Sequence, residues 1–168
     1  TVVMTVTAAD VIHSWTIPRM NKNIECNSLL EELNFLVQTY RYREALEVSD
    51  CILSQCGQDK HHLFYRSIWL HKVGRNTEAL EVITESIELG VKNVSAYALC
   101  AKLYLANKKM EECLRLCETY FHQSPEVFGE LKSDALARIG NNKAALDYSF
   151  SLIKRKDCQK IKIIDKFL

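Results

Sequence analysis

Apolar positions along this chain recur with helical spacing, and the helical segments themselves recur about every 34 residues. In the clearest copy, an apolar stripe runs through residues 60–70, Gly74 marks a turn, and a second stripe runs from Ala79 to Ile87. Glycine suits the left-handed conformation that closes a helix, so this pattern predicts two helices joined by a short turn. A fixed period of this length is typical of an array of helix pairs.

A small residue followed by Leu marks the same point in each of four copies. The four pairs are Ala45-Leu46, Ala79-Leu80, Cys113-Leu114 and Ala145-Leu146. The first three pairs are 34 residues apart, and the fourth arrives two residues early. We expect two helices to cross closely at these small residues, hereafter the anchors, because a larger side chain would push the helices apart.

Capping residues indicate where some of these helices should begin. Ser28 with Glu31 has the spacing of a capping box, and Asn27 is a rival cap for the same helix. The triplet at 124–126, Ser-Pro-Glu, is typical of a helix start. Proline is favoured at the first helical position, and Glu stabilises the positive end of the helix dipole.

Four short motifs resemble the tetratricopeptide repeat (TPR). They are Tyr42-x-x-Ala45, Gly74-x4-Ala79, Ala101-x-x-Tyr104 and the closing Pro125. The early Trp of the family is missing, so the repeats are degenerate. The resemblance implies an all-α fold, a right-handed α-solenoid of about four TPR helix pairs with a C-terminal capping helix. The array would cover residues 20–156, in units of about 26–59, 60–93, 94–125 and 126–156, with 157–168 as the capping helix or the start of a further repeat.

The resemblance also implies a concave groove, lined mainly by the first helix of each pair, that binds a peptide or helix of a protein partner. The family's groove positions correspond here to Asn34, Val37, Phe64, Ile68, His71, Lys72, Lys102, Leu105, Glu130, Asp134 and Arg138. No phosphate loop, nucleophile elbow or H-E-x-x-H motif occurs in the sequence. We therefore expect a non-enzymatic protein-binding module.

A homodimerising assembly scaffold is the alternative function. TPR subunits of the anaphase-promoting complex, a cell-cycle ubiquitin ligase, resemble this chain in having Tyr and Cys at consensus positions, and their N-terminal repeats pair into homodimers. On this interpretation Phe64, Tyr65 and Trp69 are exposed and form the dimer surface. A stable dimer in solution would favour the scaffold, and a monomer would favour the groove.

Residues 1–19 do not follow the repeat pattern. The run from Val6 to Pro18 resembles a segment of the copper-binding domain of cytochrome oxidase subunit II, in which the counterpart of His13 is a copper ligand. The nearest match to the rest of that site, Cys113-x3-Cys117-x4-His122, has the wrong histidine spacing, so we predict no copper. Residues 1–19 are interpreted as a short arm on the array or as an added extension, with Met20 as the natural start.

Composition and charge narrow the partners and the compartment. Apolar residues make up 48% of the 168 residues, and the formal net charge is +1, so no overall field favours nucleic acid. An apolar run of about 18 residues, which would predict a membrane span, does not occur. We expect an intracellular protein, cytoplasmic or nuclear, whose partner is neither nucleic acid nor membrane.

The cysteine and histidine residues are expected to be structural. Six of the seven cysteines lie in helical segments, which favours a reducing compartment. Cys113 and Cys117 share a helix face, but both fall at core positions where Cys serves as a small apolar residue. His61 and His62 are neighbours that point apart, and both are expected to be exposed at a helix start. We predict no metal and no cofactor.

Overall fold

The computed structural model describes residues 24–151 and 153, with side chains from Cys26 onward. Its helices are α1 Ile24–Gln38, α2 Tyr42–Cys56, α3 Lys60–Lys72, α4 Asn76–Glu88, α5 Val94–Ala106, α6 Met110–Tyr120, α7 Pro125–Arg138 and α8 142–151. The described residues contain no strand, and the all-α prediction is confirmed. In this part of the chain, no helix has both the length and the apolar character needed to cross a membrane.

The chain divides into two compact units with a boundary inside helix α4. Unit 1 ends at Val82, and unit 2 begins at Ile83. In unit 1, α1 packs on α2 and α2 packs on α3. In unit 2, α6 packs on both α5 and α7, and α5 also contacts α7.

Four turns share one backbone geometry, five residues before each anchor. The residues at this position are Tyr40, Gly74, Lys108 and Gly140, and all four have positive φ angles between 59° and 88°. In each turn the next residue donates its backbone N–H to the carbonyl five residues earlier, at 2.8–3.0 Å. This is the Schellman arrangement, which satisfies carbonyls at a helix end. The turn therefore forms with or without glycine.

The anchors lie where the sequence predicted them, in the core. Ala45, Ala79 and Cys113 have no exposed surface, and Ala145 is 7% exposed. Each anchor also donates its backbone N–H to the residue just before its helix, as Ala45 does to the carbonyl of Arg41. The small residue is thus fixed in the first turn of its helix.

Unit 2 has a core of apolar side chains around Phe128. Phe128 has no exposed surface and lies beside Tyr120, whose ring stacks on Tyr97 with centroids 3.6 Å apart. The other buried members are Ala98, Ala101, Leu105, Cys113, Cys117, Leu131 and Ala135. Small alanines and large aromatic rings together form this core, as close packing requires.

Two capping predictions are wrong in part. Helix α1 already begins at Ile24, so Asn27 and Ser28 lie inside it and do not cap it. Pro125 does open α7, but the side chain of Ser124 makes no capping hydrogen bond. The predictions for residues 1–19, including the copper-protein resemblance, and for 157–168 fall outside the described residues.

Candidate partner-binding faces

One face of helix α3 remains accessible to solvent, and it combines an aromatic, an aliphatic and a cationic side chain. Tyr65 and Ile68 are half-buried, and Lys72 is exposed. Their spacings of three and four residues place them on one side of the helix. We call Tyr65, Ile68 and Lys72 face 1. Asp59 begins the helix, since its carboxylate accepts the backbone N–H groups of residues 61 and 62 at 2.8 and 3.0 Å.

Two of the three residues predicted to form a dimer surface are buried. Phe64 is 8% exposed and Trp69 is 3% exposed, so the prediction that they are surface residues is wrong. The apolar stripe of α3 is wide enough to face the core on more than one side, and these two rings fill that core. Tyr65 is half-buried and contacts Phe64, with ring centroids 5.1 Å apart. The homodimer alternative therefore loses most of the surface assigned to it.

The other predicted groove residues of unit 1 differ in accessibility. Asn34 is half-buried on α1, and Val37 is 8% exposed. His71 is half-buried, and its Nδ1 lies 2.7 Å from Oδ1 of Asn76. Because an amide oxygen accepts, Nδ1 carries the hydrogen, and His71 ties the end of α3 to the start of α4.

A second accessible face lies in unit 2, where α5 and α7 are neighbours. Lys102, Asp134 and Arg138 are all exposed, and we call them face 2. Arg138 Nε donates to Asp134 Oδ1 at 3.0 Å, and its Nη1 donates to the carbonyl of Leu105 at 3.5 Å. Arg138 thereby links α7 to the end of α5. Glu130 is exposed as well, while Leu105 is buried beneath.

The carboxylate of Asp134 also stabilises the charged form of Arg138. Its hydrogen bond with Arg138 raises the pKa of the guanidinium above its ordinary value, and the direct charge attraction adds to this. Face 2 therefore presents Arg138 as a fixed cation with a defined orientation. Lys102 supplies a second, exposed cation on this face.

A buried polar network joins α2 to α3, and the sequence did not indicate it. Ser49 Oγ lies 2.8 Å from His62 Nε2 and accepts a hydrogen bond from Arg66 Nη1 at 2.9 Å. The Ser49 hydroxyl can donate to neutral His62, because Arg66 supplies the other hydrogen bond. Arg66 Nη2 also forms a 2.6 Å ion pair with Asp50. The prediction that His62 is exposed is wrong, since only 7% of it is accessible.

Burial sets the protonation of this network. Loss of solvent, followed by the charge of Arg66, lowers the pKa of His62 to about 4. A base of that pKa is weak near neutral pH, and Ser49 has no exposed surface with which to meet a substrate. The network joins α2 to α3 and presents no accessible serine nucleophile. No local signal links Ser49 to His62, because thirteen residues and a loop separate them.

The cysteines are structural in two different ways. Cys113 and Cys117 are fully buried with sulfurs 3.9 Å apart, so the prediction that they are core residues is confirmed. The hydrogen bond with Cys117, together with burial, raises the pKa of Cys113. Cys26 and Cys56 form a disulfide, which no feature of the sequence predicts. No group of three or more His, Cys, Asp or Glu side chains among the described residues is placed to hold a metal ion.

Comparison with known proteins finds similarity in structure alone. No family model matches the chain, and no curated protein matches its sequence. The structure "MamA RS-1 ArsTM double mutant" has a TM-score of 0.71 at 16% identity, over 83% of this chain and 79% of that one.

Two further MamA structures are similar to the chain. "MamA 41-end from Desulfovibrio magneticus RS-1" has a TM-score of 0.71 at 17% identity, over 80% of this chain and 77% of that one. "MamA MSR-1 C2" has a TM-score of 0.62 at 17% identity, over 75% and 74%. Identities this low show the fold and nothing further: the chain has a TPR-like helical solenoid fold.

Proposed function

We propose that this chain is a non-enzymatic protein-interaction module whose face 1 binds a peptide or helix of a partner. The observation that supports the proposal best is the accessible side of α3. Tyr65 and Ile68 offer partly exposed apolar surface, and Lys72 supplies a cation one turn further along. An apolar anchor beside a charge is typical of surfaces that recognise peptides.

Face 2 is a separate surface of unit 2, and it would recognise a partner by charge more than by apolar contact. Lys102 is exposed on α5 and the fixed Asp134–Arg138 pair lies on α7, so face 2 carries two cations and one carboxylate. A partner segment with at least one acidic side chain would find its complement there. Charge complementarity of this kind favours one register of binding and excludes partners of the wrong sign.

A display screen with matched variants tests the proposal. A phage library of random linear peptides would be selected on the folded chain, and the enriched peptides measured against Ile68→Ser and Lys72→Glu. We expect each variant to weaken binding by about tenfold, the effect of losing roughly 1.4 kcal/mol at a contact residue. Glu81→Lys is the control, because Glu81 is exposed on α4 outside both faces.

Two outcomes would overturn the proposal. The library yields no enriched peptide, or the enriched peptides bind the face 1 variants and the control equally well. Light scattering over a tenfold dilution separates the homodimer alternative from this one. If the chain forms a dimer that persists on dilution and binds no peptide, the result would favour an assembly scaffold like the anaphase-promoting complex subunits.

A further inference from the structure

The first helix hairpin is closed at both ends. At one end, the turn through Tyr40 joins α1 to α2, with Arg41 N–H bonded to the carbonyl of Leu36 at 2.9 Å. At the other end, the Cys26–Cys56 disulfide joins the start of α1 to the last residue of α2 across 30 residues of sequence. The remaining described cysteines, at 51, 100, 113 and 117, are free thiols.

The disulfide lies where a small thiol reagent can reach it after minor local opening. Cys26 and Cys56 are 7% and 6% exposed, but each lies at a helix terminus, where opening needs the least free energy. Gly57 follows Cys56 directly, and no heavy atom lies within 4 Å of where its Cβ would be. The chain directly after Cys56 is therefore uncrowded by other described residues.

We propose that the Cys26–Cys56 disulfide is a redox-operated clamp on α1. A dithiol reductant would break the bond by transferring two electrons and two protons to the protein. The two sulfurs of the reductant join in a cyclic disulfide, and Cys26 and Cys56 become thiols. Helix α1 then rests on α2 through apolar side chains, chiefly Leu33 and Leu36, with no covalent closure. This inference goes beyond the proposed function and stands without it.

Release of the clamp should loosen α1 and leave unit 2 unchanged. Closure of a loop of this length restricts the unfolded chain, so its removal favours opening of the hairpin. Hydrogen exchange followed by mass spectrometry would compare the oxidised full chain with the same chain in dithiothreitol. We expect peptides covering residues 27–38 to exchange on the order of a hundredfold faster after reduction. Peptides from α6 should exchange at the same rate in both states.

Cysteine variants identify the thiols responsible. Cys26→Ser should reproduce the reduced pattern and no longer respond to the reductant. Cys51→Ser should behave like the unmodified chain in both states, because Cys51 is an exposed free thiol on the same helix as Cys56. If Cys26→Ser does not fold, reversible reduction of the unmodified chain still decides the question. Equal exchange of α1 in the two states, or seven titratable thiols in the air-oxidised chain, would overturn the proposal.

Discussion

The α2–α3 contact of unit 1 and the α6–α7 contact of unit 2 use the same repeat positions with different chemistry. Ser49 and Cys117 each lie four residues after an anchor, and His62 and Phe128 each lie twelve residues before a left-handed turn residue. All four are buried. Unit 1 fills these positions with a hydrogen-bonded pair, and unit 2 fills them with a thiol and an aromatic ring.

An ion pair at the edge of each contact is common to both units. Arg66 lies 2.6 Å from Asp50 in unit 1, and Lys132 lies 2.8 Å from Glu118 in unit 2. Both pairs join the first helix of one hairpin to the second helix of the preceding one. The repeat thus preserves the burial of these two positions and the ion pair beside them, while the chemistry of the buried pair varies.

This difference indicates which kinds of change should destabilise each unit. A contact built from hydrogen bonds and a buried imidazole responds to pH and to the loss of a single polar partner. A contact built from apolar volume responds to cavities. Four experiments, taken from the largest expected effect to the smallest, break or sharpen this contrast.

Removal of the Phe128 ring should have the largest effect. Phe128→Ala leaves a cavity in a site with no exposed surface, and we expect a loss of about 3–5 kcal/mol in the free energy of unfolding. Urea denaturation followed by circular dichroism measures it. Phe150→Ala is the control, because that ring is 56% exposed and its loss should change stability by less than about 0.5 kcal/mol. Equal losses in the two variants would contradict the contrast.

Acidification should weaken unit 1 before unit 2. The pKa of His62 is lowered to about 4 from an ordinary value of 6.5, so the unfolded chain binds a proton that the folded chain excludes. The contribution of neutral His62 is complete above pH 6.5 and is lost as pH falls towards 4, up to about 3 kcal/mol. Arg66 disfavours the proton and Asp59 favours it.

Hydrogen exchange of α3 at several pH values measures this loss, with α6 as the internal reference. His62→Gln should flatten the pH dependence of α3, since glutamine does not titrate. If α3 and α6 lose protection in parallel between pH 6.5 and 4, the titration of His62 is not the cause.

Truncation of the polar pair should show coupling. Ser49→Ala removes a group that accepts from Arg66 and lies 2.8 Å from His62, and we expect a loss of about 1–3 kcal/mol. A double-mutant cycle with His62→Ala should give an interaction energy of at least about 0.5 kcal/mol. Additive losses would mean that the two side chains act separately. The same cycle at Cys117 and Phe128 tests whether unit 2 behaves alike.

Substitutions at the left-handed turn positions should change the unfolding free energy least, and by similar amounts in both units. Tyr40 and Lys108 have φ angles of 59° and 60°, a region that disfavours residues with a Cβ. Tyr40→Gly and Lys108→Gly should therefore raise the unfolding free energy by up to about 1 kcal/mol. Gly74→Ala is the reverse test, and its cost is one of backbone alone because no atom lies within 4 Å of the added Cβ. Thermal melts measure all three.

The repeat pattern predicted the anchors and the turns, because both depend on local spacing and on the steric need for small residues. It could not separate the buried side of α3 from the accessible side. Six of its thirteen residues are apolar or aromatic and fall on more than one side of the helix, so the predicted exposure of Phe64 and Trp69 is wrong. Histidine is compatible with either surface or core, and only the position of Ser49 on the preceding hairpin explains why His62 is buried. The Cys26–Cys56 bond depends on two helix ends that meet in space, 30 residues apart in sequence.

The shortened fourth spacing has a use in protein engineering. Helix α6 is two residues shorter than α4, the segment after it is one residue shorter, and α7 is one residue longer than α5, which together give the two missing residues. The spacing of five residues between the left-handed turn position and the anchor is the same in every hairpin. Length therefore varies after the anchors, at the ends of the second helices and in the segments that follow them, and the spacing from turn to anchor does not vary. Segments between hairpins, such as 121–124, are accordingly the junctions at which whole hairpins could be recombined, duplicated or removed with each hairpin's register intact.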